Sequence, residues 1–330
     1  MPNVGPPTTP AHSEMSEDLP SGWRYRAIAG SVLLAAIGYL GFVLWSGWRD
    51  VASAVAKVGI LGVAVALSLS LVNYGLRFVR WQLYLGAMDH PVPHWPSLRI
   101  YLSGFTLTTT PGKAGEALRG VLLKRWGMPY SMSLAAFLSE RLSDLFAVVL
   151  LTLLGLTIYP AARPLVAIGA AGVLAVFLVI SNHTALQRLG KAIRGTTAAA
   201  VVLRHSAQVL LQASRCHTPA LIATATGLSL LAWAAEAFAF NLILRWMGAD
   251  VSLAFAVFVY AISMLAGALT FMPGGLGSAE ATMISLLVWK GIEVPDAVAA
   301  TVLVRLATLW FAVGLGAVNL LFLRMARVNP

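Results

Sequence analysis

Long apolar runs constrain this chain more than any other feature. A helix needs about 20 apolar residues to cross the hydrocarbon core of a membrane. Six predominantly apolar runs approach or exceed that length, at 27–47, 58–76, 131–158, 164–181, 219–243 and 297–323. Backbone groups inside lipid must be satisfied within the protein, which leaves helices and closed barrels. The short alternating segments of a barrel are absent, so the sequence predicts an all-α polytopic membrane protein with about six full spans.

Composition excludes a soluble core of this size. Only 11% of the residues are charged and the mean hydropathy is +0.80, whereas soluble domains carry about 25% charged residues. Lys and Arg lie mainly before the first run, after the second, in the segment 182–216 and at the carboxyl end. This bias predicts that both termini are cytoplasmic. The net charge of +10 is therefore attributed to topology and anionic lipid, and no nucleic-acid role is expected.

Two similar motifs interrupt the apolar sequence 162 residues apart. Each reads Pro-Gly-x-x-Gly and is followed by a carboxylate, which is Glu116 directly after the first motif and Glu280 three residues after the second. Pro-Gly pairs also mark ordinary interfacial loops, but their matching places favour two re-entrant helical hairpins. The first hairpin is predicted to enter from the cytoplasm and the second from outside, with both tips meeting. The predicted tip residues are Pro111, Gly112, Gly115, Pro273, Gly274, Gly275 and Gly277.

The residues around the motifs suggest an internal repeat. Arg80-Trp81 precedes the first motif much as Arg245-Trp246 precedes the second, and Arg141 follows the first much as Arg305 follows the second. A unit of span, hairpin and span thus recurs with opposite starting sides, which is an inverted repeat suited to alternating access. The predicted organisation is a disordered tail (1–22), a first span and loop (23–57), unit 1 (58–158), a span with a basic amphipathic cytoplasmic segment (159–218), and unit 2 (219–327).

Charged residues within the apolar segments are the candidate functional residues. Each costs roughly 2.5–3.5 kcal/mol to insert at the centre of a membrane helix. Glu140 and Asp144 share a helical face, so they need a cationic partner to stay ionised; Arg141, Arg119 and Lys113 are candidates. The set forms either a structural ion-pair network or a polar cavity for an anionic headgroup. The candidate substrate-binding residues are Arg80, Lys113, Glu116, Arg119, Glu140, Arg141, Asp144, Glu280 and Arg305.

Other residue types point to no further chemistry. The single Cys216 permits no intrachain disulfide, the six His residues form no metal-ligand pattern, and no phosphate-binding Gly-x-x-x-x-Gly-Lys-Ser/Thr motif occurs. No metal, no catalytic residue and no cofactor is therefore expected. Glu236 also lies in a predicted apolar segment. The aromatic residues near the span ends, Trp81 among them, are attributed to an interfacial belt with no role in substrate binding.

At these residues the chain resembles the flippase-like family named after the transmembrane region of lysylphosphatidylglycerol synthase, also known as uncharacterised UPF0104-type membrane proteins. The resemblance covers about residues 25–325 and is carried by the motifs above, joined by Arg77-x-x-Arg80-Trp81 and by Glu140-Arg141 with Asp144. It implies movement of lipids or lipid-linked headgroups between the leaflets of the bacterial inner membrane. No segment here is expected to form a soluble aminoacyl-transferase domain, so lipid aminoacylation by this chain alone is not expected.

The leading hypothesis is a lipid translocase whose partners are anionic phospholipids or polyprenyl-linked lipids. Without an ATP motif, movement would be facilitated or coupled to an ion gradient, with Glu116, Glu140 or Asp144 as proton carriers. One alternative is an integral-membrane transferase that acts on a lipid-linked substrate. Another is a non-catalytic partner of an envelope enzyme. A homo-oligomer is also compatible with the sequence.

Overall fold

The computed structural model describes residues 23–110, 114–156, 159–193, 197–270 and 272–328, and it is all-helical within these ranges. The predicted tail 1–22 therefore lies outside the described residues. The first helix, α1 (Trp23–Ala87), is interrupted at Gly47 (φ 112°) and Gly59 (φ 68°). Positive φ is a conformation that only glycine adopts at little cost. The two glycines enclose the predicted loop 48–57, which is instead a short helical segment.

Further helices follow α1 along the chain. They are α2 (His94–Phe105), α3 (Ala114–Lys124), α4 (Tyr130–Thr152), α5 (Arg163–Ser181), α6 (His183–Ala192), α7 (Ala198–Ser214), α8 (Pro219–Trp246), α9 (Leu253–Leu269), α10 (Ser278–Trp289), α11 (Val294–Arg305) and α12 (Phe311–Val328). A π-helical turn, Leu306–Trp310, joins α11 to α12 without a break. Such turns often occur at functional sites.

Within the described ranges, four helical segments are long and apolar enough to cross a membrane: Gly47–Ala87, Pro160–Ile180, Pro219–Trp246 and Val294–Leu323. They correspond to four of the six predicted spans. The predicted span 131–158 becomes α4, which ends at Thr152 and has three charged residues (Glu140, Arg141 and Asp144) near its centre. The predicted span 27–47 lies in the first part of α1, where Gly30–Gly41 is apolar but shorter. These last two spans stay predictions.

Each predicted hairpin contains two short helices with a break between them. Helices α2 and α3 have 12 and 11 residues and pack against each other. At 1.5 Å per residue each is about 17 Å long, roughly half of the hydrocarbon thickness. Helices α9 and α10, with 17 and 12 residues, likewise pack together across the second break. Both breaks therefore fall where the two motifs predict them.

The buried apolar residues form two clusters, one around each pair of short helices. The helical segment after each pair also reaches the other pair: α4 packs against α9, and α12, which continues α11, packs against α2. Helix α1 lies along α8, and the Asn73 side chain donates a hydrogen bond to Ala232 O across that contact at 2.9 Å. The two halves are thus interlocked by reciprocal contacts.

Candidate functional site

Among the side chains that the structure describes, six charged ones meet where α1, α3 and α4 come together, and we call them the arginine cluster. Helix α1 supplies two of them, because it continues to Ala87 beyond the predicted span end at 76. Arg77 and Arg80 therefore lie inside the helix rather than in a loop after it. The members of the cluster are Arg77, Arg80, Arg119, Glu140, Arg141 and Asp144.

Asp144 is the centre of this cluster. Its carboxylate lies 2.6 Å from Nη1 of Arg80, 3.3 Å from Nη2 of Arg77 and 3.1 Å from Nη2 of Arg141. The indole Nε1 of Trp233 on α8 donates a further hydrogen bond to it at 3.1 Å. Three cations and one neutral donor thus stabilise one carboxylate. The predicted need for a cationic partner is confirmed, and α1 supplies two of the three.

Glu140 is paired with the first hairpin. Its Oε2 accepts a hydrogen bond from Nη1 of Arg119 at 2.8 Å, and the carboxylate is fully buried. The Arg119 guanidinium lies 4.5 Å from the ring centroid of Tyr101 and 5.1 Å from that of Trp81. Gly104 makes room for it, because a Cβ atom there would be 2.3 Å from Nε of Arg119.

Trp81 does not belong to an interfacial belt. It is fully buried, and its Nε1 donates a hydrogen bond to Oγ of Ser97 at 3.1 Å. The prediction for this residue was wrong, because a position near a span end cannot distinguish a lipid-facing indole from one that faces α2 and α3. Its ring is part of the surface on which Arg119 lies.

The arginine cluster carries a surplus of positive charge. Four guanidinium groups face two carboxylates, which leaves two formal positive charges. In the described part of the chain, several buried guanidinium nitrogens have no hydrogen-bond partner: Nε of Arg77, Arg80, Arg119 and Arg141, and Nη2 of Arg80. Buried donors without acceptors are costly. Native proteins leave few buried donors without partners. So many unpaired donors in one place are unusual for a purely structural ion-pair network.

The second hairpin has its own ion pair, between Arg305 and Glu280. Nε of Arg305 lies 2.6 Å from Oε1 of Glu280, and its Nη2 donates to Gly274 O at 2.6 Å. The other carboxylate oxygen of Glu280 accepts the Gly277 N–H at 2.6 Å. Both side chains are buried. This pair has no net charge and holds the tip to α11.

The backbone of the second tip explains its glycines. Gly274, Gly275 and Gly277 all have positive φ, between 61° and 87°. Gly275 also lies directly against α9, because a Cβ atom on it would be 3.2 Å from Cα of Gly267. A side chain at this place would push the tip away from its own hairpin.

The structure brings the second tip next to the residues that follow α2. A Cβ atom on Gly274 would lie 3.5 Å from Cγ2 of Thr109, two residues before Pro111. Pro111, Gly112 and Lys113 themselves lie outside the described residues, as do the side chains of Glu116 and Pro273. For those residues the meeting of the tips and their role in substrate binding stay predictions.

Several residues of this region were not among the candidates predicted from the sequence. Arg77 lies one helical turn before Arg80, and this spacing indicates that both side chains share a helical face. The positive-inside interpretation had instead treated both as basic residues that follow a span. Ser229 and Trp233 on α8 contact Arg80 and Asp144, and no pattern in the sequence distinguishes them. The repeat is also imperfect, because Arg80 is buried whereas its counterpart Arg245 is exposed.

The comparisons with known proteins agree with the resemblance inferred from the motifs. The family described as "Lysylphosphatidylglycerol synthase TM region" matches residues 28–316. Two proteins from Methanothermobacter thermautotrophicus, each named "UPF0104 membrane protein", are 25% identical over 313 residues and 24% identical over 315 residues. The matches cover 89% and 88% of this chain and 92% of each relative. The chain is an integral multi-pass membrane protein that belongs to the family of the lysylphosphatidylglycerol synthase transmembrane region.

Proposed function

We propose that this protein is a lipid translocase that carries the anionic headgroup of a phospholipid or lipid-linked substrate past the arginine cluster. The observation that supports this most directly is the charge surplus of that cluster. The family is named after the membrane region of an enzyme of lipid modification, and lipids are the substrates that a membrane protein meets in high concentration.

The size of the surplus suits a phosphate-bearing headgroup. Lys113 and Glu116 carry opposite charges and together add no net charge to the segment that contains the first motif. Arginine recognises phosphate through its planar, bidentate donors. A phosphate would supply acceptors for the guanidinium nitrogens that have none in the described residues. The acyl or prenyl chains would remain in the bilayer while the headgroup moves.

Leaflet exchange also needs a path that opens to both sides. We propose that the two pairs of short helices are re-entrant hairpins, entering from opposite faces within a six-span inverted repeat. The reciprocal packing of α4 on α9 and of α12 on α2 supports this symmetry. The neutral Arg305–Glu280 pair would brace the second tip, while the charged cluster binds the headgroup. We place the protein in the bacterial inner membrane with both termini cytoplasmic.

A leaflet-accessibility assay tests this function. The purified protein is reconstituted into vesicles containing fluorescent phosphatidylglycerol or, in parallel, fluorescent phosphatidylcholine, and a membrane-impermeant quencher reports the outer-leaflet fraction over time. We expect faster exchange of the anionic lipid than in protein-free vesicles. Phosphatidylglycerol exchange no faster than in protein-free vesicles would refute the proposal.

Two arginine variants test the site. Arg77→Ala removes a donor of the cluster, and a charge-assisted hydrogen bond contributes about 1.5–3 kcal/mol, so exchange should slow about ten- to a hundredfold. Arg245→Ala removes an exposed arginine of α8 and should leave the rate unchanged. Both variants must elute as the wild type does in size-exclusion chromatography. Equal rates for the two variants would contradict the assignment of the cluster.

A further inference from the structure

Glu236 is a buried carboxylate that the proposed function does not yet use. It lies in the middle of α8, where it is the only acidic residue, and it is 5% exposed. The hydroxyl of Tyr260 on α9 donates a hydrogen bond to its Oε2 at 2.6 Å. Among the side chains that the structure describes, no cation lies within ion-pair distance of it.

The other membrane-embedded carboxylates with described side chains are paired. Glu140 contacts Arg119, Asp144 contacts three arginines, and Glu280 contacts Arg305. Among these described carboxylates, Glu236 is thus the one without an arginine partner. An arginine partner holds a carboxylate in its charged form, whereas burial without one disfavours that form.

The groups that interact electrostatically with Glu236 from the neighbouring helices have other partners. From α1 these are Tyr74, whose hydroxyl donates to Thr308 O, and Arg77, which contacts Asp144. Helix α4 contributes Asp144 itself, and α11 contributes Arg305, which is bound to Glu280 and Gly274 O. The Glu236 carboxylate is nevertheless within electrostatic reach of Arg77, Arg305 and Asp144. It is therefore coupled electrostatically to both the arginine cluster and the ion pair of the second tip.

From this arrangement we propose that Glu236 is a proton-binding site, and that its protonation strengthens anion binding at the arginine cluster. This inference rests on the proposed function. Ionised Glu236 adds a negative charge within reach of Arg77 and reduces the surplus of two positive charges to one. When the carboxylate takes up a proton from water, the full surplus is restored, so the anion and the proton bind together and leave together. Because such coupling is reciprocal, anion binding must also promote proton uptake.

A binding experiment tests the coupling. Short-chain dihexanoyl-phosphatidylglycerol is titrated into the detergent-solubilised protein at a series of pH values. For one coupled proton, affinity should rise by up to about tenfold per pH unit of acidification. Glu236→Gln mimics the neutral carboxylic acid, so it should bind tightly with no dependence on pH over that range. Glu293→Gln, which changes an exposed carboxylate outside the predicted spans, should keep the wild-type dependence. A wild-type pH slope in Glu236→Gln would overturn the proposal.

A second variant and a ligand-free measurement make the test independent of transport. Tyr260→Phe removes the donor that stabilises the carboxylate, so the midpoint of the pH dependence should move to higher pH. Infrared difference spectroscopy of the protein alone should show the carbonyl band of a protonated carboxylic acid that is missing in Glu236→Gln; a band unchanged by the substitution would refute the proton site. If the wild type binds no anionic lipid, the proposed function fails, and the infrared band still decides whether Glu236 binds a proton.

Discussion

Replacing Asp144 by asparagine should destabilise the protein strongly. The substitution keeps the shape of the side chain but removes the charge on which Arg77, Arg80 and Arg141 converge. Arg80 is completely buried, and the Asp144 side chain is only 5% exposed. The amide would also place its own N–H groups among donors. The cluster would then hold four guanidinium groups against one carboxylate.

The expected magnitude follows from this burial. Removing one partner of a buried ion pair costs about 3–5 kcal/mol, because the remaining charge stays uncompensated. Asp296→Asn is the matched control: it removes the partner of Lys57 at 3.8 Å, but these side chains are 45% and 47% exposed. Exposed pairs contribute only about 0–1 kcal/mol. The same chemical change should therefore have a several-fold larger effect at Asp144.

Thermal unfolding in detergent, followed by intrinsic fluorescence, measures the difference. One kcal/mol moves the Tm of a domain of about 150–250 residues by about 2–4 °C, so on that scale Asp144→Asn should lower the Tm by roughly 6–20 °C. Asp296→Asn should lower it by no more than about 4 °C. Equal shifts for the two variants would show that Asp144 is not a buried, obligatory counter-charge and would refute the reasoning.

Two further substitutions test the positions of the hairpins. Gly104→Ala should displace Arg119 from Glu140, because the new Cβ atom would lie 2.3 Å from Nε of Arg119, and the exchange rate of anionic lipid should fall at least about tenfold. Gly86→Ala is the control, because a Cβ atom there would meet nothing within 4 Å, and it should leave the rate unchanged. Equal rates for the two variants would contradict this prediction. Arg305→Lys keeps the charge but cannot hold Glu280 and Gly274 O together, so hydrogen exchange should accelerate at residues 275–280; unchanged exchange there would disprove the bracing role.

The sequence determined the features that depend on local pattern. Apolar runs require membrane helices, because backbone groups in lipid must bond within the chain. Pro-Gly pairs mark chain breaks, and the breaks between α2 and α3 and between α9 and α10 lie at the two motifs. The 4-residue spacing of Glu140 and Asp144 implied a cationic partner, since two carboxylates on one face cannot both stay ionised without one.

The tertiary structure decided which partner each charge has. Helical periodicity assigns a residue to a face, but it does not say which distant helix meets that face. From the sequence alone, Arg77 and Arg80 were therefore assigned to a loop after a span. The structure shows that both contact Asp144, because α1 packs against α4. For the same reason, the sequence could not predict that Trp81 is buried or that Glu236 has no described cationic partner. Both features depend on contacts between segments far apart in the sequence.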